Sequence, residues 1–140
     1  MKKLLLLIAL LSSSFAFSQK PDAEKQHKIV IQFVASDSLS QYSLIGNIKN
    51  LKEAMPKAQI EVVFHSGGIL MIVSDKTKYG KELQDYVENK GVTLVGCQNT
   101  MKARKITKEQ LLPFAGTVPS GVAEVVLKQE DGWSYLKGGL

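Results

Sequence analysis

The chain has 140 residues, 44% of them hydrophobic and 22% charged, with a formal net charge of +5. That length holds one domain around one core, and so mild a basic balance gives no sign of a nucleic-acid partner. A single cysteine, Cys97, excludes an intrachain disulfide framework.

Lys2 and Lys3 precede an unbroken apolar run from Leu4 to Leu11, and Ser12-Ser13-Ser14 then break it. Phe15-Ala16-Phe17-Ser18 supplies a small-x-small site, so cleavage is expected before Gln19. The run is too short for a bilayer, which takes roughly 20 apolar residues. Residues 1–18 are therefore expected to be a signal peptide, and the product to be exported, periplasmic or secreted, with no stable membrane span after cleavage. The remaining 122 residues carry sixteen basic and thirteen acidic side chains, because Lys2 and Lys3 leave. Oxidising compartments normally pair cysteines. A lone thiol there is a buried apolar group, an intermolecular disulfide or a working thiol.

Residues 19–27 are polar and contain Pro21, which reads as a flexible N-terminus; residues 28–138 form the domain. Lys28 to Ala35 is nearly all apolar and β-branched, the pattern of a strand covered on both faces. Ser36-Asp37-Ser38 offers capping side chains. Leu44, Ile48, Leu51 and Met55 then mark one face of a helix that Pro56 ends.

Ile60 to Phe64 is the second expected strand, followed by a turn at His65-Ser66-Gly67-Gly68. Ile69 to Val73 fits a short strand or one helical turn. Tyr79, Leu83, Tyr86 and Val87 form a helical stripe, with Gly91 as a left-handed terminator. Val92 to Gly96 is the third strand and Cys97 follows directly. Gln98 to Arg104 reads as a short helix. Thr107 and Gln110 have capping-box spacing. Gly116-Thr117-Val118 is a fourth strand, and Pro119-Ser120 opens a helix whose apolar side is Val122, Val125 and Val126. Gly132 stops it before a half-exposed strand, Trp133 to Leu136.

Alternating strands and helices predict a three-layer α/β domain with a largely parallel sheet. Ligands bind such sheets beyond the strand C-terminal ends. Ser36-Asp37-Ser38, His65-Ser66-Gly67-Gly68 and Cys97-Gln98-Asn99 are expected there. Cys97 stands between a strand end and a helix start, where unpaired N–H groups favour a thiolate. His65 is the one histidine outside the N-terminal tail: either an orienting base for Cys97 or an ordinary hydrogen-bonding residue. Gly67 and Gly68 are either a tight turn or an anion-admitting one, without a phosphate-loop lysine. Lys102, Arg104, Lys105 and Lys108 read as a solvated basic face. No ligand spacing for a metal appears, and no cofactor is expected.

Gly96-Cys97-Gln98-Asn99-Thr100-Met101-Lys102-Ala103-Arg104, then Val118 to Glu124, then Gly132-Trp133-Ser134-Tyr135-Leu136 resemble the DsrE/DsrF-like family. Phe64-His65-Ser66-Gly67-Gly68 also fits, and the resemblance spans roughly residues 27–137. It implies a three-layer fold with a five-stranded, mainly parallel sheet and assembly into trimers or hexamers. It also implies a persulfide-carrying cysteine near Cys97, as in cytoplasmic sulfur-relay subunits; the expected signal peptide departs from that pattern.

The leading functional expectation is an exported sulfur carrier using Cys97, with a sulfur donor or acceptor as partner, rather than a turnover enzyme. The alternatives are a non-catalytic ligand-binding module, with a cleft around His65, Asn99 and Ser120 beside the Gly67-Gly68 turn, or a structural homo-oligomer in which Cys97 is packing.

Overall fold

The computed structural model describes residues 25–140; the expected signal peptide, residues 1–18, lies outside the described residues, as do residues 19–24. Strands β1 (Lys28–Phe33), β2 (Gln59–Phe64), β3 (Val92–Cys97), β4 (Gly116–Val118) and β5 (Ser134–Lys137) alternate with helices α1 (Ser38–Ala54), α2 (Gly80–Asn89), α3 (Gln98–Arg104) and α4 (Gly121–Glu130). The strands form one sheet in the order β4-β3-β2-β1-β5, parallel throughout. No helix among the described residues is long and apolar enough to cross a membrane.

Local chemistry sets the element boundaries. Asp37 caps α1, its Oδ1 accepting the Ser40 N–H at 2.8 Å. Leu44 and Ile48 are the buried residues of that helix's apolar stripe. Gly91, at φ +65°, makes the left-handed turn into β3 that a side chain would resist. Thr107 and Gln110 form the expected capping box. The ambiguous Ile69–Val73 segment resolves as part of a 3-10 helix over Ser66–Ile72, whose Ile69, Met71 and Ile72 are buried.

Side chains alternate across a strand, so the sheet has two apolar faces. Ile29, Ile31 and Phe33 share one with Ile60, Val62, Phe64 and Leu94; α1, α2, α3 and the 3-10 helix cover it through Leu44, Ile48, Leu83, Tyr86, Met101 and Ile69. Val30, Val63 and Val95 lie on the other, beneath Val125 of α4. Right-handed crossovers produce this division. Connections stepping from β1 toward β4 fall on one side, and the return to β5 falls on the other.

The reading of α4 needs a correction. Val125 is buried, but Val122 is 58% and Val126 48% exposed. A lone helix over a sheet buries only the narrow stripe that touches the strands, and these two valines fall outside it.

Beneath α4 the second face contains an acid, Glu61, which is 6% exposed. Lys128 reaches its Oε2 at 2.8 Å and Glu124 at 3.6 Å, and lies 4.4 Å from the centre of the Trp133 ring. Burial pushes the Glu61 carboxyl up; Lys128 opposes the shift and Glu124 adds to it. Truncating one partner of a buried pair leaves an uncompensated charge. Lys128→Met is therefore expected to destabilise the fold by about 3 kcal/mol near neutral pH, the lower end for a broken buried pair because Lys128 keeps some solvent contact. The raised folded value means that protonation favours the folded state, so the cost is absent below the ordinary carboxylate range and grows as pH rises. Urea unfolding of the variant should consequently show its largest deficit at neutral pH and a smaller one in mild acid.

Candidate functional site

Cys97 is the last residue of β3 and the N-cap of α3. It is paired with Val118 of β4 and faces the α4 side of the sheet with Val95 and Val63. The short strand β4 ends in Pro119, and Ser120 caps α4, its hydroxyl accepting the Ala123 N–H at 3.4 Å. The first turn of α4 thereby comes to rest on the end of β3. Gly121 permits this contact. A Cβ there would lie 3.1 Å from the Cys97 Cβ, 3.2 Å from Val63 Cγ1 and 3.3 Å from the His65 Cβ. Cys97 and His65 are thus neighbours across one point, with a glycine between them.

The sulfur is enclosed, and Cys97 is only 5% exposed. Burial pushes its thiol up, but hydrogen bonding from the Gly121 N–H, the Thr100 N–H and hydroxyl and the Asn99 N–H outweighs it and holds the thiol below its ordinary value. Two helix starts therefore converge on one sulfur, and their N–H groups favour the thiolate. The Asn99 N–H is shared with the Pro119 carbonyl at 3.3 Å. Its side chain, beside the exposed Gln98, faces solvent.

His65 does not turn toward the sulfur. Its Nδ1 lies 3.1 Å from Ser66 Oγ and its Nε2 lies 2.9 Å from Gln32 Nε2. The Gln32 Oε1 accepts the Tyr135 O–H at 2.8 Å. The amide therefore presents its N–H to His65, and the imidazole proton sits on Nδ1. Burial lowers the His65 pKa, consistent with a neutral ring. Ser66 has a left-handed backbone, φ +53°, and its N–H donates to Thr100 Oγ1 at 3.1 Å.

Gly68 belongs to the frame. Its N–H lies 2.9 Å from the Val34 carbonyl and 3.0 Å from that of His65. Gly67 packs beside Ser36 and the Val34 carbonyl. Ser120 stands at the Cys97 end of α4 as its cap, whereas both glycines sit beyond β1. Lys102, Arg104, Lys105 and Lys108 are exposed, as the solvated-face reading expects; Lys108 also reaches the Ala115 carbonyl. Among the described residues no three His, Cys, Asp or Glu side chains gather as a metal site.

Thr100, Gly121 and Tyr135 lie within the motifs that carry the family resemblance but receive no role there, and Gln32 lies outside them. Gln32, the one polar side chain inside an apolar strand, was the available signal.

Comparison with known proteins places this arrangement. No curated protein matches the chain. A structure titled as a protein of unknown function, MTH1491 from Methanobacterium thermoautotrophicum, aligns at 28% identity with a TM-score of 0.76, covering 80% of this chain and 99% of that one. The YchN protein of E. coli aligns at 12% identity with a TM-score of 0.66, covering 81% and 99%, and shares the fold. The profile of the DsrE/DsrF-like family matches residues 13–137, nearly the full length, and the chain belongs to that family.

Proposed function

We propose that the protein is an exported, homo-oligomeric carrier of sulfane sulfur, held as a persulfide on Cys97. The observation that carries this reading is the placement of the sulfur: Cys97 is buried at the end of β3 as the N-cap of α3, with the first turn of α4 packed on it through Gly121, a position whose neighbouring N–H groups favour the thiolate. Membership of a family related to sulfur relay supports it. The amino-terminal pattern of Lys2, Lys3, the Leu4–Leu11 run and Ala16-x-Ser18 supports export. The exposed Val122, Val126 and Leu127 of α4 and Tyr135 of β5 support assembly into a trimer or hexamer, since they leave apolar surface for another copy.

The step balances without an external oxidant. The Cys97 thiolate attacks the terminal sulfane sulfur of a hydropolysulfide and supplies the electron pair of a new S–S bond. The donor's own S–S bond breaks, its pair leaves on the shortened polysulfide, and that anion takes a proton from water. An acceptor thiolate then removes the outer sulfur and regenerates the Cys97 thiolate. The enclosed position favours small donors and shields the persulfide from competing thiols.

Intact and native mass measurements on the exported protein, before and after polysulfide treatment, test the reading. The expected result is a chain starting at Gln19, in a trimer or hexamer, that gains one sulfur atom. Reductant removes the added sulfur, and Cys97→Ser never acquires it. A folded, unblocked protein that takes up no sulfur would transfer the assignment to a ligand-binding or structural module in which Cys97 is packing.

A further inference from the structure

Cys97 is enclosed, with 5% of its surface exposed, yet a working thiol has to meet its reactants. A persulfide also places a second sulfur about 2 Å beyond the first. A cover over the sulfur therefore has to move, and the covers differ in how firmly they are held. α3 continues the chain of Cys97 itself, and its Met101 is sunk in the larger core. β4 is bound to β3 by its ladder, with Val118 opposite Cys97. The third cover is the first turn of α4, which rests on Cys97 through Gly121.

α4 is fastened unevenly along its length. From Val125 onward side chains tie it down. Val125 packs with Val30, Val63 and Val95, and Lys128 reaches Glu61 at 2.8 Å beside the Trp133 ring. Ahead of Val125 the helix has little grip on the sheet. Gly121 brings no side chain, Val122 is 58% exposed, Ala123 is exposed, and Glu124 reaches Lys128 of its own helix. The bonds that enter the turn are long: 3.4 Å from the Ala123 N–H to the Ser120 cap, and 3.3 Å from the Asn99 N–H to the Pro119 carbonyl. A segment with few buried apolar contacts opens far more readily than the whole domain unfolds.

We propose that the first turn of α4, Gly121 to Glu124, is a lid on Cys97 that lifts about a hinge at Val125 to admit reactants. The anchored half, with Val125 and the Lys128–Glu61 pair, stays in place. The inference rests on Cys97 being the reacting group proposed above. Its readout is alkylation by iodoacetamide, which needs no sulfur donor, so a protein that takes up no sulfur and a lid that does not lift are separate results.

The experiment measures alkylation of Cys97 in the whole mature protein, with Cys97→Ser as the blank. The pH is set where the thiol is ionised in both the folded and the urea-unfolded chain, so that only access differs. The folded protein is expected to react at least roughly tenfold more slowly than the unfolded chain, and its rate to rise only shallowly with urea, because one turn exposes little surface. Ser120→Ala removes the cap of the lid and should speed alkylation by roughly threefold, the low end for a lost cap because the bond is long. Lys128→Met lowers the stability of the whole domain but leaves the lid as it was, so alkylation should stay within roughly a factor of two of the parent. Gly121→Ala is not the probe here, because it moves the thiol's own titration together with its cover. Three results would overturn the proposal. Folded Cys97 reacting as fast as the unfolded chain would mean that the sulfur is open without movement. An unchanged rate in Ser120→Ala would place the entrance elsewhere. Alkylation speeded in Lys128→Met by the full factor of its lost stability would mean that access requires unfolding of the whole domain.

Discussion

Gly68→Ala is expected to destabilise the protein by about 3 kcal/mol, the upper range for an overpacked site. The added Cβ would sit 2.4 Å from the Phe33 carbonyl oxygen and 2.8 Å from both its carbon and the Phe33 ring. That oxygen is main chain at the end of β1, and it also accepts the His65 N–H at 3.2 Å. It has no rotamer by which to retreat, so β1 and the 3-10 helix must separate. Separation costs the Gly68 N–H its bond to the Val34 carbonyl and loosens Phe33 against Phe64, whose rings pack edge to face at 5.8 Å. Gly67 offers the internal comparison. Its Cβ would lie 3.1 Å from the Ser36 side chain and the Val34 carbonyl, a mismatch of a few tenths of an ångström. Gly67→Ala should therefore cost about 1 kcal/mol. Urea unfolding of both variants gives the two values. A Gly68→Ala protein as stable as the parent would mean that β1 and the 3-10 helix approach less closely.

This frame was readable where the pattern is local. Lys28–Phe33 and Gln59–Phe64 read as strands from their apolar, β-branched runs; the face under α1 and α2 is wholly apolar, whereas the face under α4 mixes Val30 and Val63 with Gln32 and Glu61. Asp37, Gly91 and the Thr107–Gln110 box act within a few residues of themselves, so their types reveal them. Cys97 was legible for the same reason, since a strand run ends and a helix begins around it. The rest of the site is not local. Tyr135 and Gln32 are 103 positions apart, and they meet because β5 returns to pair with β1, a choice of strand order that no window of sequence contains. Gly121 reads as an ordinary first residue of a helix; only the docking of α4 on β3 makes it the cover of a thiol. Val122 and Val126 recur at helical spacing as a buried stripe would, yet α4 has one sheet face to meet and Val125 meets it. Periodicity identifies which side of a helix is apolar, and the neighbours decide how much of that side is covered.

Gly121→Ala should weaken the thiolate and the fold together, and pH separates the two effects. The new Cβ meets Cys97, Val63 and His65 at 3.1–3.3 Å, and none of these contacts is the far end of a flexible chain. The first turn of α4 must lift by a few tenths of an ångström, at about 1–2 kcal/mol. Lifting it draws the Gly121 N–H away from the sulfur, and that N–H stands first among the groups that hold the thiol down against burial. The Cys97 pKa is therefore expected to rise, and alkylation below the parent's pKa to slow by roughly tenfold. The sign of the stability effect follows from linkage. A cysteine with a depressed folded pKa contributes stability above its unfolded value and loses it as pH falls through the folded one. In acid both proteins hold a neutral thiol, and the deficit of Gly121→Ala is steric alone. As pH rises into the thiolate range, the parent gains stability that the variant gains less of, so the deficit widens. Urea unfolding across that range measures the widening, and a Cys97→Ser background should abolish it while leaving a steric deficit. A deficit equally wide at every pH would mean that α4 covers the sulfur without stabilising its charge; the low thiol value would then fall to Thr100 and Asn99 of α3.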